Sequence, residues 1–192
     1  MSMFYYIGAN KQLPLGERGS KEINNGHRLD KKKTVIHIKN ASIPEGSIPL
    51  EQIIDLSAIK SSEIAEYETM EDAAGIFIED VHPCYNDIKQ HFKSKYVFQF
   101  SANFGGFLLN ERLKHFDCEG YNANKKCINE LFKFIAENLN EHEEIEIYSC
   151  WTGEEQEPRN RKLDMIININ SFELGADFEL KDKQYIVVKR TN

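Results

Sequence analysis

The sequence predicts an α+β fold, or an irregular α/β fold, in which a mixed and largely antiparallel sheet packs against a few helices. Short apolar segments with the two-residue alternation of strands recur from Phe4 to Arg190. One longer segment, over residues 123–139, instead has the spacing of an amphipathic helix. Strands and helices do not alternate strictly, which disfavours the parallel sheet of a repeated βαβ chain.

The chain is expected to form a single globular domain over residues 1–192. Its composition, 41% hydrophobic and 29% charged residues, is that of an ordinary globular protein. Residues 8–33 form the most polar stretch and contain Gly8, Pro14, Gly16 and Gly19. We expect a long loop there, and the sequence leaves open whether that loop is ordered or mobile.

Strands are predicted where β-branched and aromatic residues alternate with polar ones. The predicted strands are residues 4–7, 34–38, 75–79, 96–100, 107–109, 143–150, 163–170, 178–180 and 185–190. Residues 107–109 are expected to pair with residues 96–100, and the last two strands are expected to form a closing hairpin.

The longest helix is predicted over residues 123–139. Five apolar residues there fall on one helical face: Ile128, Leu131, Phe132, Ile135 and Leu139. Shorter helices are expected after Pro49 and after Pro83, because proline is tolerated in the first turn of a helix. A further helical segment is expected over residues 63–70, with Ile64 and Tyr67 on one side.

The net charge of the chain is negative and unevenly distributed. The whole chain has a formal charge of −7, whereas residues 61–192 carry 15 Lys and Arg against 25 Asp and Glu, a balance of −10. Proteins that bind nucleic acid normally present a basic face to the phosphates. We therefore expect no nucleic-acid partner, and we expect attraction to a basic protein.

The chain lacks the short motifs that fix a cofactor. It contains no GxxxxGK[ST] loop, no GxGxxG turn and no GxSxG elbow. We expect no cofactor. A structural metal site is also not expected, because Cys127 has no ligand nearby in the sequence to pair with, and His82 and Cys84 would have to meet the His115–Cys118 pair in space.

The four cysteines, Cys84, Cys118, Cys127 and Cys150, have no spacing typical of a disulfide framework and are expected to be free thiols. The first eight residues lack the features of a signal peptide, and the longest uncharged stretch, residues 96–110, is too polar to span a membrane. The sequence thus predicts a cytoplasmic protein with no membrane partner. Its abundant Ile, Lys and Asn favour a bacterial origin.

An acidic segment follows the predicted strand over residues 143–150, in which alternation places Ile145 and Ile147 inward and Glu146 outward. From Glu141 to Glu157 there are seven glutamates and no Lys or Arg, and the only tryptophan lies among them. One interpretation is a solvated loop with that tryptophan turned inward. The other is a binding loop for a basic protein, with four candidate binding residues: Trp151, Glu154, Glu155 and Glu157.

These observations predict a non-enzymatic, acidic protein-binding module, such as an inhibitor or an immunity-like protein, for a basic partner. The alternative is a small enzyme, a hydrolase or a transferase, with its site between the N-terminal loop and the central strands. For the alternative, Cys84 is the best-placed thiol, because it lies near the start of a predicted helix. No catalytic residue is assigned, and whether the chain forms a homo-oligomer is open.

Overall fold

A seven-stranded sheet forms the centre of the structure, a computed structural model that describes residues 2–23, 35–40 and 64–191 and the single positions 48, 53, 55 and 59. Numbered along the chain, its strands are in spatial order β2 (Gly16–Arg18), β5 (Gly75–Asp80), β6 (Tyr96–Asn103), β1 (Met3–Ala9), β8 (Glu144–Trp151), β11 (Gln184–Lys189) and β9 (Met165–Asn168). Neighbouring strands are antiparallel except β11 and β9, which are parallel. The predicted α+β class with a mixed, largely antiparallel sheet is therefore confirmed.

Two smaller strand pairs flank this sheet. They join β3 (Val35–Ile38) with β4 (Ile64–Tyr67) in parallel, and β7 (Leu108–Leu109) with β10 (Phe178–Glu179) in antiparallel orientation. The helices of the described residues are α1 (Met70–Ala73), α2 (Glu111–Phe116), α3 (Cys118–Asn138) and three 3₁₀ segments, Pro83–His91, Arg161–Leu163 and Ile169–Ser171. None of these helices is long and apolar enough to cross a membrane.

Helix α3 covers one face of the sheet. The Asp117 carboxylate accepts a hydrogen bond from the Gly120 amide at 2.8 Å and caps the helix at its start. The five apolar residues of the predicted stripe are all buried in the main core, against sheet residues such as Ile7, Ile147 and Val188. The predicted longest helix is confirmed and begins five residues earlier than expected.

The other face of the sheet carries an aromatic and polar layer. Alternation turns Tyr6, Tyr148, Cys150 and Tyr185 to this face, where they pack in a second buried cluster. The 3₁₀ segment Pro83–His91 covers the cluster by burying Ile88 in it. The sheet is therefore covered on both faces, by α3 on one and by the short, polar 3₁₀ segment Pro83–His91 on the other.

The described part of the expected N-terminal loop contains strand β2, which pairs with β5 at the edge of the sheet. Leu13 is buried in the main core, and the Arg18 guanidinium lies 5.1 Å from the centre of the Phe134 ring on α3. A side chain at Gly75 would bring a Cβ within 2.1 Å of the Arg18 carbonyl oxygen, so the close approach of β2 to β5 requires glycine there.

Three local predictions were wrong. Residues 64–67 form strand β4 rather than a helix, because Ala65 and Tyr67 are buried with the two-residue period of a strand. Strand β7 pairs with β10 rather than with β6, and β11 pairs with β8 and β9, so the expected closing hairpin does not form. The helix expected after Pro49 falls largely on residues outside the described part of the chain.

The prediction that Glu146 points outward was also wrong. Its side chain lies in the polar layer with a residue exposure of 3%. Alternation correctly placed it opposite Ile145 and Ile147, but the 3₁₀ segment Pro83–His91 and the residues after it cover that face of the sheet.

Candidate functional site

An acidic groove of about 450 Å³ lies between the 3₁₀ segment Pro83–His91 and the loop that follows β8. Its lining residues are Cys84, Asp87, Gly153, Glu155, Gln156, Glu157 and Pro158. The acidic groove thus combines Glu155 and Glu157, two of the predicted binding residues, with the thiol that the enzymatic alternative favoured. The sequence did not predict that Asp87 would join them, because the two walls are about 70 residues apart in the chain.

The loop wall of the acidic groove is built from tight turns. The backbone amide of Glu154 donates to the Trp151 carbonyl at 3.0 Å, and the amide of Glu157 donates to the Glu154 carbonyl at 3.0 Å. Gly153 adopts a φ of +91°, in the left-handed region that favours glycine. The chain therefore reverses directly after β8 and returns over the polar layer.

Three hydrogen bonds join this loop to the 3₁₀ segment. The Glu155 carbonyl accepts from His91 Nε2 at 2.9 Å and from Gln90 Nε2 at 3.4 Å. Gln156 Nε2 donates to the Asp87 carboxylate at 2.6 Å. The two walls of the acidic groove are consequently held at a fixed separation.

His91 connects the acidic groove to the polar layer beneath it. Its ring stacks on Tyr148, with centres 4.4 Å apart and an interplanar angle of 13°. Burial lowers the pKa of His91, the hydrogen bond to the Glu155 carbonyl opposes this, and the charge of Arg159 adds to the lowering. Because a carbonyl only accepts, Nε2 carries the proton of the neutral ring.

The three predicted glutamates of the loop have different surroundings. Glu154 and Glu157 both form ion pairs with Lys183, at 3.0 and 3.5 Å, and the Glu157 side chain is 57% exposed. Glu155 has a residue exposure of only 7%, and its carboxylate accepts from the Gly153 amide at 3.2 Å. The negative charge of the acidic groove itself therefore comes from Glu155, Glu157 and Asp87.

Trp151 does not line the acidic groove. It ends β8 in register with Met3, and its backbone amide donates to the Asp182 carboxylate at 3.3 Å. Strand alternation places its half-buried side chain on the face opposite Cys150. The structure thus brings Glu155 and Glu157 together in the groove and leaves Trp151 on the other side of the strand.

A buried carboxylate that the sequence analysis missed lies in the polar layer. The Glu146 side chain accepts hydrogen bonds from the amides of Lys93 and Ser94, at 3.0 and 2.8 Å, and from the Tyr185 hydroxyl. These hydrogen bonds outweigh the effect of burial and lower the pKa of Glu146. No signal in the sequence separates this glutamate from the solvated ones around it.

Two tyrosines of the same layer have unpaired hydroxyls. Tyr6 and Tyr148 are fully buried and directly opposite each other on β1 and β8, and neither hydroxyl has a hydrogen-bond partner among the described residues. Burial, followed by the charges of Cys150 and Glu155, raises the pKa of Tyr6.

The thiols do not form an evident nucleophilic site. Burial raises the pKa of Cys127 to about 11 and that of Cys150 to about 12, which disfavours their thiolates. Cys84 and Cys118 are exposed, but the described residues that line the acidic groove with Cys84 include no histidine. Among the described residues, no group of three or more His, Cys, Asp and Glu side chains is arranged to hold a metal ion.

A second groove of about 440 Å³ lies on the other side of the 3₁₀ segment. It is lined by Glu79, Asp80, Val81, His82, Pro83, Tyr85 and Gln99. The exposed carboxylates of Glu79 and Asp80, at the end of β5, extend the negative surface beyond the acidic groove. We call the carboxylates of the two grooves together the acidic face: Glu79, Asp80, Asp87, Glu155 and Glu157.

Comparison with known proteins gives this chain no relative. No protein-family model matches it, and no curated protein or solved structure shows significant similarity to it. Any function must therefore be argued from the geometry of the chain itself.

Proposed function

We propose that this protein is a non-enzymatic binding module that uses its acidic face to hold a basic protein, in the manner of an inhibitor or an immunity-like protein. The observation that carries the proposal is the acidic groove. Three carboxylates, those of Asp87, Glu155 and Glu157, converge on it from two separate elements, and none of the described residues that line it is Lys or Arg. An acidic concave surface accelerates the encounter with a basic partner and selects against acidic proteins.

The rigidity of the acidic groove also supports a binding role. The hydrogen bonds from His91 and Gln156 fix the loop before any partner arrives. A preformed site loses less conformational freedom on binding than a flexible loop does. The ion pairs of Lys183 with Glu154 and Glu157 reduce the charge at the edge of the face and hold the loop in place.

The enzymatic alternative has less support. The described part of the N-terminal segment contributes β2 to the edge of the sheet and contacts α3 through Arg18, and none of its residues lines the acidic groove. Cys84 is accompanied in the acidic groove by carboxylates, and none of the described residues that line this groove is a histidine that could act as its base.

The test is capture of a partner by charge variants of the tagged protein. Asp87→Lys with Glu157→Lys reverses two exposed carboxylates of the acidic groove. The matched control, Asp177→Lys with Glu179→Lys, makes the same change in charge at exposed positions that line a different groove. Glu155 is left intact here, because a lysine at a buried position would disturb the fold.

Lysate of the native host is passed over each protein at low and at high salt, and bound proteins are identified by mass spectrometry. We expect the unmodified protein and the control to retain a stoichiometric basic protein at low salt, and the groove variant to lose it. With the purified partner, the association rate should fall about tenfold in the groove variant. Loss of the partner only in the control, or a partner bound equally at both salt concentrations, would place the interface elsewhere.

A further inference from the structure

We propose that the polar layer holds ordered water beneath the 3₁₀ segment Pro83–His91, hydrogen-bonded to the hydroxyls of Tyr6 and Tyr148 and connected to solvent past Gln99. Two observations carry this inference. Both hydroxyls are buried without a hydrogen-bond partner among the described residues, and the strand register joins them to a residue that lines the second groove. This water site lies inside the fold and is independent of any partner of the acidic face.

The two hydroxyls are hydrogen-bonding groups in a place that bulk solvent does not reach. Tyr6 and Tyr148 both have a residue exposure of 0%, and the described protein groups offer neither hydroxyl a partner. The third tyrosine of the layer, Tyr185, shows the usual arrangement, because its hydroxyl donates to the Glu146 carboxylate. An unpaired buried hydroxyl is unfavourable, and native proteins satisfy nearly all such groups with protein atoms or ordered water.

The strand register connects these hydroxyls to the surface. Tyr6 on β1 lies directly opposite Tyr148 on β8 and, on its other side, directly opposite Gln99 on β6. Directly opposite residues point to the same face of a sheet, with Cβ atoms about 4.5–5.5 Å apart. Gln99 is half-buried and lines the second groove. The row of these three side chains therefore runs from a groove that is open to solvent into the buried layer.

The chemistry of the row suits water. The Gln99 amide and the two tyrosine hydroxyls can each donate and accept hydrogen bonds, and a buried water molecule typically makes about three of them. Burial raises the pKa of Tyr6 and of Tyr148, so both hydroxyls stay neutral at physiological pH. A neutral ligand that both donates and accepts fits this site better than an ion.

The 3₁₀ segment closes the layer above the tyrosines. Ile88 is fully buried in the layer, and the His91 ring stacks on Tyr148 with centres 4.4 Å apart. Water held beneath these side chains has its route to solvent at the end of the row, past Gln99. We expect it to exchange more slowly than water on the protein surface.

The first test removes each hydroxyl and keeps the ring. Tyr6→Phe and Tyr148→Phe are compared with the native protein by urea unfolding, and Tyr96→Phe, at a half-buried position on β6, is the matched control. Because each hydroxyl is hydrogen-bonded to water, each substitution should raise the equilibrium constant for unfolding about fivefold. The control should change it by less than about twofold.

The second test counts the water. ¹⁷O magnetic relaxation dispersion detects water molecules that stay in a protein much longer than surface water does. We expect the double variant, Tyr6→Phe with Tyr148→Phe, to hold at least one long-lived water molecule fewer than the native protein. The Tyr96→Phe control should hold the same number as the native protein.

The sign of the stability change decides between hydrated and unpaired hydroxyls. Removal of an unpaired buried hydroxyl leaves stability unchanged or increases it, so that result for both single variants would overturn the inference. Loss of stability with an unchanged number of long-lived water molecules in the double variant would also overturn it, because the hydroxyls would then be paired with protein groups.

Discussion

The carboxylate of Glu146 on β8 accepts a hydrogen bond from the hydroxyl group of Tyr185 on the neighbouring strand β11, inside the polar layer. The same carboxylate accepts hydrogen bonds from the backbone amides of Lys93 and Ser94. These two residues lie in the short connection between the 3₁₀ segment Pro83–His91 and β6. One buried carboxylate thereby joins two central strands to the segment that forms a wall of the acidic groove.

Replacing this carboxylate by an amide should destabilise the protein. In Glu146→Gln an NH₂ group takes the place of one carboxylate oxygen, and it faces hydrogen-bond donors that it cannot satisfy. We expect a loss of about 3 kcal/mol in the free energy of unfolding, measured with urea. The control is Glu144→Gln on the exposed end of the same strand, which should change stability by less than about 0.5 kcal/mol.

The effect of Glu146→Gln should depend on pH in a defined direction. The pKa of Glu146 is lower in the folded protein than the usual value of a glutamate. Its contribution is therefore fully present above the pKa of the unfolded chain, about 4.3, and is lost as the pH falls through the folded value. The stability difference between the native protein and the variant should shrink as the pH is lowered below about 5. A difference that stays constant down to pH 3 would contradict this role.

The secondary structure was predicted well where the spacing of the apolar residues fitted a helix only or a strand only. The stripe from Ile128 to Leu139 specified α3, because every residue in it meets the same core. Residues 64–67 were assigned the wrong period, since Ile64 and Tyr67 have the i, i+3 spacing of a helix, whereas the pairing with β3 makes a strand in which Ala65 and Tyr67 are buried. The pairing of strands that are far apart in the chain, such as β7 with β10, leaves no signal in the local sequence.

The candidate site was predicted in part. The acidic run identified Glu155 and Glu157, but charge alone does not show which carboxylates are paired with Lys183 and which one is buried. Asp87 and Glu146 were missed because their roles depend on contacts with residues more than 35 positions away. Burial and pairing are properties of the tertiary structure, and these two properties distinguish a binding carboxylate from a solvated one.

The four thiols should separate into two classes. Cys84 and Cys118 are exposed, whereas Cys127 and Cys150 are buried with raised pKa values. At pH 8 we expect two thiols per chain to react rapidly with Ellman's reagent in the native protein, and four after denaturation. Cys84→Ser and Cys118→Ser should each remove one rapid equivalent. Rapid reaction of three or more native thiols would contradict the packing of the sheet.

A methyl group at Gly75 should displace the N-terminal edge strand. The added Cβ would lie 2.1 Å from the Arg18 carbonyl oxygen, so β2 must move away from β5. We expect Gly75→Ala to reduce the free energy of unfolding by about 2 kcal/mol or more. Gly106→Ala is the control, because its Cβ would meet no atom closer than 3.6 Å. Equal stability of the two variants would show that β2 does not pack as described.

His91 should make the stability of the fold sensitive to mild acid. Because burial lowers its pKa in the folded protein, the stability it provides is fully present above the unfolded value of about 6.5 and is lost as the pH falls below it. His91→Phe preserves a ring beside Tyr148 but neither titrates nor bonds the Glu155 carbonyl. At pH 8 this variant should be less stable than the native protein by about 1 kcal/mol, the value of one hydrogen bond.

The difference between His91→Phe and the native protein should narrow between pH 7 and pH 5, since burial disfavours the protonated ring and the charge of Arg159 adds to this effect. Urea unfolding at several pH values measures this, with His115→Phe as the control at an exposed histidine. If the native protein and His91→Phe lost stability in parallel over this range, His91 would not be the titrating group. If the difference narrows as expected, the burial of the neutral His91 ring contributes to stability at neutral pH, whereas its hydrogen bond to the Glu155 carbonyl persists when the ring is protonated.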